Sequence, residues 1–418
     1  MGRMAINKER LWARLMELGE IGKQISGGVT RYSFTPDEIR AKELVAAYMK
    51  EAGLAVREDA AGNLIGRREG TSPKAAAVLT GSHIDTVPDG GMFDGALGVL
   101  AAIEALQRMN ELEVRNVYPI EVIAFTDEEG SRFGFGMIGS RAVAGTLQPK
   151  DLEQRDEQGI AIADAMRSAG LAPERVGEAA KPPHEVKAYV ELHIEQGRVL
   201  ENLDEPVGLV TGIAGPLWQQ FTLIGQAGHA GATPMQLRRD PLQAAAEILN
   251  YIYAEAKKYE NAVATVGKLK TLPGGVNVIP GEVQFSLDLR DIDEAERNRL
   301  EASIHAYSQQ VCERHGIELQ IEPLQRVAPA PSSSAVQEAV AQAGKLADLA
   351  NLPRLASGAG HDGMQFSSLW PVGMIFVRSR GGISHNPKEW SSPEDCAAGT
   401  EVLYHTLLQL ANEDKGSF

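Results

Sequence analysis

Cysteine is scarce in this sequence, with only Cys312 and Cys396 among 418 residues. Both fall within helical patterns and far apart, which excludes a small disulfide-built scaffold and favours a reducing compartment. Long apolar runs are also missing, since none approaches the roughly 20 residues that span a bilayer. The N-terminal stretch becomes amphipathic at once and lacks the apolar core of a secretory signal. These absences predict a soluble cytoplasmic protein with no membrane partner.

Positive charge is in short supply. Lys and Arg total 41 against 56 Asp and Glu, which gives a formal net charge of -15. Such a chain repels phosphate backbones unless it has a local basic patch, and the densest basic spot, Arg238–Arg239, is short. Nucleic acid is therefore not expected as a partner. Aromatic residues make up only 6% of the chain, but its hydrophobic content of 43% is ordinary for a globular protein. A length of 418 residues predicts two domains rather than one.

Most of the chain alternates between strand-like and helical patterns. From about residue 75 to 210, and again from about 333, apolar runs such as AAAVLTGSHID are followed by helical runs such as GALGVLAAIEALQRMNE. The final helix has a plausible N-cap at Ser392 and Pro393 in its first turn. Alternation of this kind predicts an α/β fold with a mostly parallel, mixed sheet flanked by helices.

The segment 213–327 has a different order of elements. Its sequence predicts, in order, a strand (WQQFTLIGQ), a helix (DPLQAAAEILNYIYAEAKKY), two strands (AVATVGKLKTL and GEVQFSLDLRD), a long helix and a last strand (IELQIEPLQ). That order is the split βαββαβ, ferredoxin-like arrangement. Gly- and Pro-containing joints flank it. The sequence thus predicts a main domain formed by 1–212 and 328–418, with an inserted domain at 213–327.

Possible metal ligands recur where predicted strands end, which is where α/β sheets usually carry their sites. These residues are His83, Asp85, Asp94, Asp127, Glu128, Glu129, His193 and His385. All are nitrogen or oxygen donors, so zinc, manganese and cobalt all remain open. Taken singly, a histidine is more often a packed or surface residue, and an acidic run is more often a solvated turn. Their recurrence along one sheet favours a metal site.

The spacing of these residues indicates a division of roles. His83 and Asp85 are two apart on an extended segment, which suits a ligand and a carboxylate that orients its other ring nitrogen. Of the two glutamates, one can bind metal while the other accepts a proton from water. A carboxylate that bridges two ions is the usual way to hold a metal pair, and Asp94 is the candidate.

Other candidates lie in glycine-rich loops, where backbone can approach a ligand closely. His229 lies in GQAGHAGATP, and Asn277 in PGGVNVIPG of the insert; His361 lies in SGAGHDGMQ of the main domain. Arg290 ends the strand VQFSLDLR and could clamp a carboxylate through two hydrogen bonds. An arginine at such a position is otherwise a surface ion pair, so this role remains open on spacing alone.

Seven motifs follow one another through essentially the whole chain. They are GSHIDTVPDGGMFDGALGV, FTDEEGSRFG, ELHIEQGRVLE, GHAGATPM, RRDP, GGVNVIPG and SHNPKEWSSPEDCAAG. Taken together and in this order, they resemble those of the dinuclear-metal amidohydrolases that act on N-carbamoyl compounds. This family includes N-carbamoyl-L-amino acid hydrolases, allantoate amidohydrolases and β-ureidopropionases, and it is related to aminoacylases and dinuclear carboxypeptidases.

The resemblance implies a role for each candidate residue. The first of two divalent ions would be held by His83, Asp94 and His193, and the second by Asp94, Glu129 and His385. Glu128 would be the general base and Asp85 the residue that orients a ligand. The carbamoyl group would contact Gln196, His229 and His361, and the substrate carboxylate would be held by Asn277 and Arg290. The insert would serve as a lid and homodimer interface, and His229 could act in its own subunit or in the neighbouring one.

The implied function is hydrolysis of the carbamoyl C–N bond of an N-carbamoyl-L-amino acid, a small substrate with ureido and carboxylate groups. The alternative is an allantoate amidohydrolase, which would use the same catalytic set. Peptidase or aminoacylase activity is disfavoured by His193 in HIEQG, where those relatives usually have a carboxylate. A non-catalytic metal protein of the same fold is disfavoured because the base and all five ligands are present.

Overall fold

The protein is described by a computed structural model over residues 6–413. The chain divides into two units. Unit 1 comprises the chain up to Thr211, Ser332–Leu355 and the chain from His361 onwards, and unit 2 comprises Gly212–Pro331 with Ala356–Gly360. The predicted insert, 213–327, falls inside the main segment of unit 2. Within residues 6–413, no helix has both the length and the apolar character that crossing a membrane requires.

Helices and strands alternate along much of the chain. The α-helices are α1 (Lys8–Gly19), α2 (Pro36–Glu51), α3 (Ala96–Glu111), α4 (Ile138–Val143), α5 (Ile162–Ser168), α6 (Val199–Leu203), α7 (Pro241–Ala256), α8 (Glu294–His315), α9 (Ser334–Leu346) and α10 (Pro393–Leu410). The strands are β1 (Ala55–Glu58), β2 (Leu64–Arg68), β3 (Ala77–His83), β4 (Ile120–Phe125), β5 (Val186–Ile194), β6 (Val207–Ile213), β7 (Gly215–Ile224), β8 (Gly228–His229), β9 (Val263–Thr265), β10 (Leu269–Leu272), β11 (Val278–Ile279), β12 (Glu282–Asp291), β13 (Glu318–Arg326), β14 (Ala330–Pro331), β15 (Arg354–Ser357) and β16 (Val372–Val377).

Unit 1 is built on a mixed sheet in the order β1-β2-β4-β3-β5-β16-β6. Its four central strands, β4, β3, β5 and β16, are parallel, and the strands toward both edges pair antiparallel. Every residue of these four strands is buried, as expected for parallel strands covered on both faces. The predicted α/β class with a mixed sheet flanked by helices is confirmed. Along this order of strands, parallel pairing is confined to the four central strands, because the pairings of β1 with β2, β2 with β4 and β16 with β6 are antiparallel.

Helices cover the central strands and fix where the strand ends lie. α3 packs on β3 and β5, and α10 packs on α3, α9 and β16. α3 is buried over most of its length, which its apolar sequence ALGVLAAIEAL explains. α10 begins as expected, because the Ser392 hydroxyl accepts the Asp395 N–H and Pro393 occupies the first turn. The parallel strands therefore present their carboxyl ends along one edge of unit 1.

Unit 2 has its own antiparallel sheet, in the order β10-β12-β7-β13, with β9 also paired to β12. α7 and α8 pack on this sheet, and they bury a core that includes Phe221, Ile248, Phe285 and Ile304. The elements follow the predicted βαββαβ order with one difference. The run AVATVGKLKTL forms two short strands, β9 and β10, rather than one, and both pair with β12 at separate places.

Candidate metal centre and active site

The candidate ligands of unit 1 meet at the carboxyl edge of its parallel strands. His83 is the last residue of β3, His193 lies one residue before the end of β5, and the acidic run follows β4 directly. Asp94 lies just before α3, and His385 lies in the loop between β16 and α10. The strand order β4-β3-β5-β16 places these four strand ends side by side, so residues far apart in the sequence become neighbours.

Asp94 lies between two groups of side chains and turns one oxygen toward each. Its Oδ1 is 3.1 Å from His193 Nε2 and 3.6 Å from His83 Nε2. Its Oδ2 is 3.2 Å from His385 Nε2, which is itself 3.4 Å from Glu129 Oε1. Both groups, His83–Asp94–His193 and Asp94–Glu129–His385, are close enough to hold a metal ion.

The spacing within each group fits a metal ion. Ligands that share one ion at zinc–nitrogen or zinc–oxygen distances, in a tetrahedron, lie about 3.3 Å from one another. The separations around Asp94, from 3.1 to 3.6 Å, surround that value. The donors are imidazole and carboxylate with no thiolate, a set that suits zinc, manganese and cobalt. The residues present therefore fit metal binding.

Two buried histidines are held in the tautomer that metal binding requires. His83 Nδ1 is 3.0 Å from the backbone oxygen of Asp85, and His193 Nδ1 is 2.9 Å from that of Ile194. Because a carbonyl can only accept, each Nδ1 carries the proton and each Nε2 keeps its lone pair for a metal. Gly95 contributes space, because a Cβ at this position would lie 2.4 Å from His83 Nε2.

The Asp85 carboxylate binds the backbone of Glu128 and Glu129 and does not bind the ring of His83. Its Oδ1 accepts the Glu128 N–H and its Oδ2 accepts the Glu129 N–H, both at 3.2 Å, whereas it lies 3.6 Å from His83 Nδ1. The hydrogen bond that orients His83 comes instead from the backbone oxygen of Asp85. The fully buried Arg31 donates to the neighbouring backbone oxygen of Ile84, and its positive charge lies near Asp85.

The three consecutive acids have separate surroundings. Glu128 Oε2 lies 3.8 Å from His83 Nε2, on the side of the first group, whereas Glu129 lies with His385. Burial raises the pKa of Glu128 well above its usual range, and it raises the pKa of Glu129 to about 7. Asp127 is 1% exposed, and burial also raises its pKa well above the usual range. Asp127 is thus an interior group, and the side chains of Glu128 and Glu129 are nearly as buried, at 9% exposed each.

Gln196 and His361 adjoin these groups in unit 1. The Gln196 side-chain amide is 3.0 Å from Asp94 Oδ2 and 3.4 Å from His385 Nε2. The ring of His361 meets that of His193 edge-on at 4.5 Å, and burial lowers the pKa of His361 well below its usual value. A neutral, buried imidazole and an amide are suitable groups for recognising an uncharged carbamoyl group.

The candidates in unit 2 fall into two places. His229 and Asn277 are neighbours, because β8 pairs with β11 and the Asn277 backbone oxygen accepts the Ala230 N–H. Both side chains are exposed. His229 Nδ1 accepts N–H groups from Gly231 and Ala232, so the proton is on Nε2 and that nitrogen is a donor.

Arg290 lies near the other end of β12 and already has partners. Its Nε and Nη2 donate to the Asp288 carboxylate at 3.0 and 2.8 Å, and its Nη1 donates to the Gly358 backbone oxygen. A guanidinium has five N–H groups, so one N–H on each terminal nitrogen remains. These two N–H groups are available to a substrate carboxylate. Arg290 is thus both an ion pair and a candidate clamp.

Ser384 and Glu389 also belong to this region, although neither was predicted from the sequence. Ser384 Oγ is 3.1 Å from Asp94 Oδ2, and the buried Glu389 accepts the backbone N–H of Asp94 at 3.0 Å. Ser384 directly precedes His385 and Glu389 lies four residues after it, but a serine and a glutamate near a histidine give no signal that separates them from surface residues.

Comparison with known proteins agrees with this geometry. The model of peptidase family M20/M25/M40 matches residues 79–409. An N-carbamoyl-L-amino acid amidohydrolase of Geobacillus stearothermophilus is 59% identical, over 97% of this chain and 99% of its own. An allantoate deiminase of Arabidopsis thaliana is 38% identical, over 96% of this chain and 82% of its own.

A solved structure is similarly close. The crystal structure of an amidase of the hydantoinase/carbamoylase family from Burkholderia multivorans superposes with a TM-score of 0.91 at 35% identity, and the match covers 98% of each chain. The similarity in sequence and in structure extends over nearly the whole chain. This chain belongs to the M20/M25/M40 peptidase family.

Proposed function

We propose that this protein hydrolyses N-carbamoyl-L-amino acids to the free L-amino acid, ammonia and carbon dioxide. The observation that carries the proposal is 59% identity, over 97% of the chain, to an N-carbamoyl-L-amino acid amidohydrolase. The site supports it, because imidazole and carboxylate donors surround Asp94 at metal-ligand spacing and a separate glutamate lies beside them.

We further propose two divalent ions per chain, zinc, manganese or cobalt. His83, Asp94 and His193 would hold one, and Asp94, Glu129 and His385 the other. This is supported by the two oxygens of Asp94, each of which faces a different group. When bound, such ions lower the pKa of water and polarise a carbonyl oxygen.

Glu128 is the proposed general base. It accepts a proton from water as the water oxygen attacks the carbamoyl carbon, and it then returns a proton to the amino acid nitrogen as that C–N bond breaks. The carbamic acid that leaves decomposes to ammonia and carbon dioxide, so a single water balances the reaction. Asp85 acts as a positioning residue, since its two oxygens accept the backbone N–H groups of Glu128 and Glu129.

Recognition of the substrate is proposed to use three kinds of group. Gln196 and His361 contact the carbamoyl group. His229 donates through Nε2 to the oxygen that becomes negative in the transition state, which a single well-placed donor can stabilise by about 3 kcal/mol. Arg290 holds the carboxylate through its two remaining N–H groups, and Asn277 assists.

The proposal of a homodimer is supported by distances inside unit 2. The β12 ladder from Glu282 to Arg290 spans about 26 Å at the usual rise of a strand. His229 and Asn277 lie beyond its Glu282 end, because the same pairing continues through Gly225–Gly281 to β8–β11. The carbamoyl and carboxylate groups of the substrate are only a few bonds apart. One chain therefore does not supply His229 and Arg290 to the same substrate, and we propose that His229 and Asn277 serve the partner subunit.

A complementation experiment tests this arrangement. Glu128→Gln and His229→Ala should each lose most activity as homodimers, but a mixed dimer contains one site with both groups if His229 acts on the partner. Random exchange should then restore about a quarter of the wild-type activity, because half of the dimers are mixed and each has one intact site. No restoration, with mixed dimers verified by mass, would contradict the proposal.

The reaction itself is tested by one assay. Metal is removed with a chelator, manganese, cobalt or zinc is restored separately, and ammonia release is measured with N-carbamoyl-L- and D-amino acids, β-ureidopropionate, allantoate and an N-acetyl amino acid. Glu128→Gln should keep its metal content and lose about 10²- to 10⁴-fold in kcat. Glu104→Gln, a buried carboxylate of α3 that pairs with Arg10, is the matched control. An active Glu128→Gln enzyme would refute the base assignment.

Allantoate is the second candidate substrate, favoured by the 38% identity to an allantoate deiminase. It also has a carboxylate and ureido groups, so the same residues would act on it. Faster turnover of allantoate than of every N-carbamoyl-L-amino acid in the panel would select this alternative. Two buried, unpaired cysteines are consistent with the proposed cytoplasmic location.

A further inference from the structure

Glu389 is a buried carboxylate that contacts the backbone of the bridging candidate Asp94. It is 4% exposed, and its Oε1 accepts the N–H groups of both Phe93 and Asp94 at 3.0 Å. Two consecutive backbone N–H groups on one oxygen fix the direction of the chain at that point. The turn that carries Asp94 into α3 is therefore held by a side chain nearly 300 residues away in sequence.

The second oxygen of Glu389 reaches the other group of ligands. Glu389 Oε2 is 2.9 Å from Ser384 Oγ, and Ser384 directly precedes His385. The Ser384 hydroxyl is also 3.1 Å from Asp94 Oδ2, so it can donate to either carboxylate. One carboxylate thus connects the backbone of Asp94 with the loop that carries His385.

Gly91 leaves the room that this carboxylate occupies. A Cβ at this position would lie 2.0 Å from both Cδ and Oε1 of Glu389. No side chain tolerates such a distance, so Glu389 must move if Gly91 is replaced. Gly91 and Glu389 form a matched pair, one supplying the space and the other the acceptor.

We propose that Glu389 is a positioning residue that sets the bridging geometry of Asp94 and the placement of His385 through these hydrogen bonds. The proposal deepens the function proposed above, because it concerns the same site and rests on Asp94 and His385 being ligands. It assigns a role to the Glu-containing end of SHNPKEW, a stretch in which only His385 had a predicted function.

A positioning role predicts weaker metal binding, and not merely a less stable fold. Substitution of a residue that hydrogen-bonds to a metal ligand typically lowers metal affinity or activity by about 10- to 100-fold. Loss of the Glu389 acceptor frees two N–H groups beside Asp94 and the hydroxyl beside His385. Because Asp94 serves both groups, the affinity for both ions should fall.

The first experiment measures Mn²⁺ affinity of the full-length protein by competition with a chromogenic chelator. Glu389→Ala should weaken Mn²⁺ binding by about 10- to 100-fold. Glu104→Ala is the matched control, because Glu104 is also fully buried in unit 1 and accepts a backbone N–H, from Asn7 at 2.7 Å. It should lower the melting temperature and leave Mn²⁺ affinity unchanged.

Three further variants keep the test decisive if Glu389→Ala folds poorly. Gly91→Ala leaves Glu389 in the chain but displaces it, and should reproduce the loss of affinity. A double variant with both Gly91→Ala and Glu389→Ala should bind Mn²⁺ no more weakly than the weaker of the two single variants, because both substitutions remove the same contacts. Glu389→Gln keeps an acceptor for both N–H groups and a donor for Ser384, and should bind Mn²⁺ within about fivefold of wild type.

Mn²⁺ affinity within twofold of wild type in both Glu389→Ala and Gly91→Ala would overturn the proposal. So would a loss in Glu389→Gln as large as that in Glu389→Ala, because the hydrogen bonds would then not be what matters. These outcomes are independent of substrate. If the wild-type protein failed to release ammonia from any N-carbamoyl-L-amino acid, the proposed function would fall while the affinity comparison kept its meaning.

Discussion

Substitution of Asp85 by asparagine should reduce catalysis far more than it reduces stability. The carboxylate uses one oxygen for the Glu128 N–H and the other for the Glu129 N–H. An asparagine retains one acceptor, and its NH₂ group faces the second N–H. Asp85→Asn therefore loses a charge-assisted hydrogen bond and leaves a buried donor without a partner.

The magnitude follows from these two losses. A hydrogen bond to a charged group contributes about 1.5–3 kcal/mol, and an unsatisfied buried donor costs about 1–3 kcal/mol. The sum, about 2.5–6 kcal/mol, can be relieved if the Glu128–Glu129 turn moves away from the amide. That movement displaces the proposed base and a proposed ligand, so we expect kcat/KM to fall by about 10²-fold or more.

The assay compares Asp85→Asn with Asp156→Asn. Asp156 accepts two backbone N–H groups through Oδ1, from Gln158 and Ile160, and pairs with Arg132, but it contacts no candidate ligand. Both variants should have a lower melting temperature, whereas only Asp85→Asn should lose kcat/KM and Mn²⁺ affinity. If Asp85→Asn kept kcat/KM within threefold of wild type, the reasoning about the turn would be wrong.

Three further predictions concern other parts of the site. Gly95→Ala places a Cβ 2.4 Å from His83 Nε2 at a backbone φ of +64°, so it should lose bound Mn²⁺ on gel filtration; retention of full metal content would contradict the role of this glycine. His229→Ala should lower kcat by about 10²- to 10³-fold without changing Mn²⁺ affinity, and a change in affinity alone would refute the donor role. Arg290→Lys removes the two remaining guanidinium N–H groups and should raise KM by about tenfold or more for N-carbamoyl-L-amino acids. It should leave KM unchanged for the corresponding amides, which lack the carboxylate, and an equal rise for both would exclude the clamp.

Much of unit 1 could be predicted because its strands are short, apolar and bounded by clear loops. Parallel strands buried on both faces have continuous apolar sequences, and an N-cap residue such as Ser392 indicates where a helix begins. The break between β9 and β10 lies at Gly267, and a single glycine inside a strand pattern is a weak signal beside the proline and turn dipeptides that mark clear loops. Both pieces pair with β12, so tertiary pairing rather than local sequence decides where each one ends.

The site could be predicted as a set of residues but not as a network. His83, His193 and the acidic run lie together because they follow neighbouring parallel strands. The alternation of strand and helix patterns in the sequence predicts such a sheet, and therefore a site at its carboxyl edge. The partners of the Asp85 carboxylate and the position of Glu389 depend on hydrogen bonds over 43 and 295 residues of sequence. A buried glutamate at such a distance has the same local signature as an exposed one.

Backbone conformation explains why side-chain directions in this site were not evident from sequence. Asp127, Gln196 and His385 all have positive φ, between +53° and +57°, which is uncommon for residues other than glycine. Such conformations persist only where surrounding contacts determine them. At Gln196, the backbone N–H donates to Ser379 Oγ; at Asp127, the backbone oxygen accepts the Ile138 N–H. The left-handed turn at Asp127 separates this interior acid from Glu128 and Glu129, so one short acidic run supplies both an interior group and two groups of the proposed metal centre.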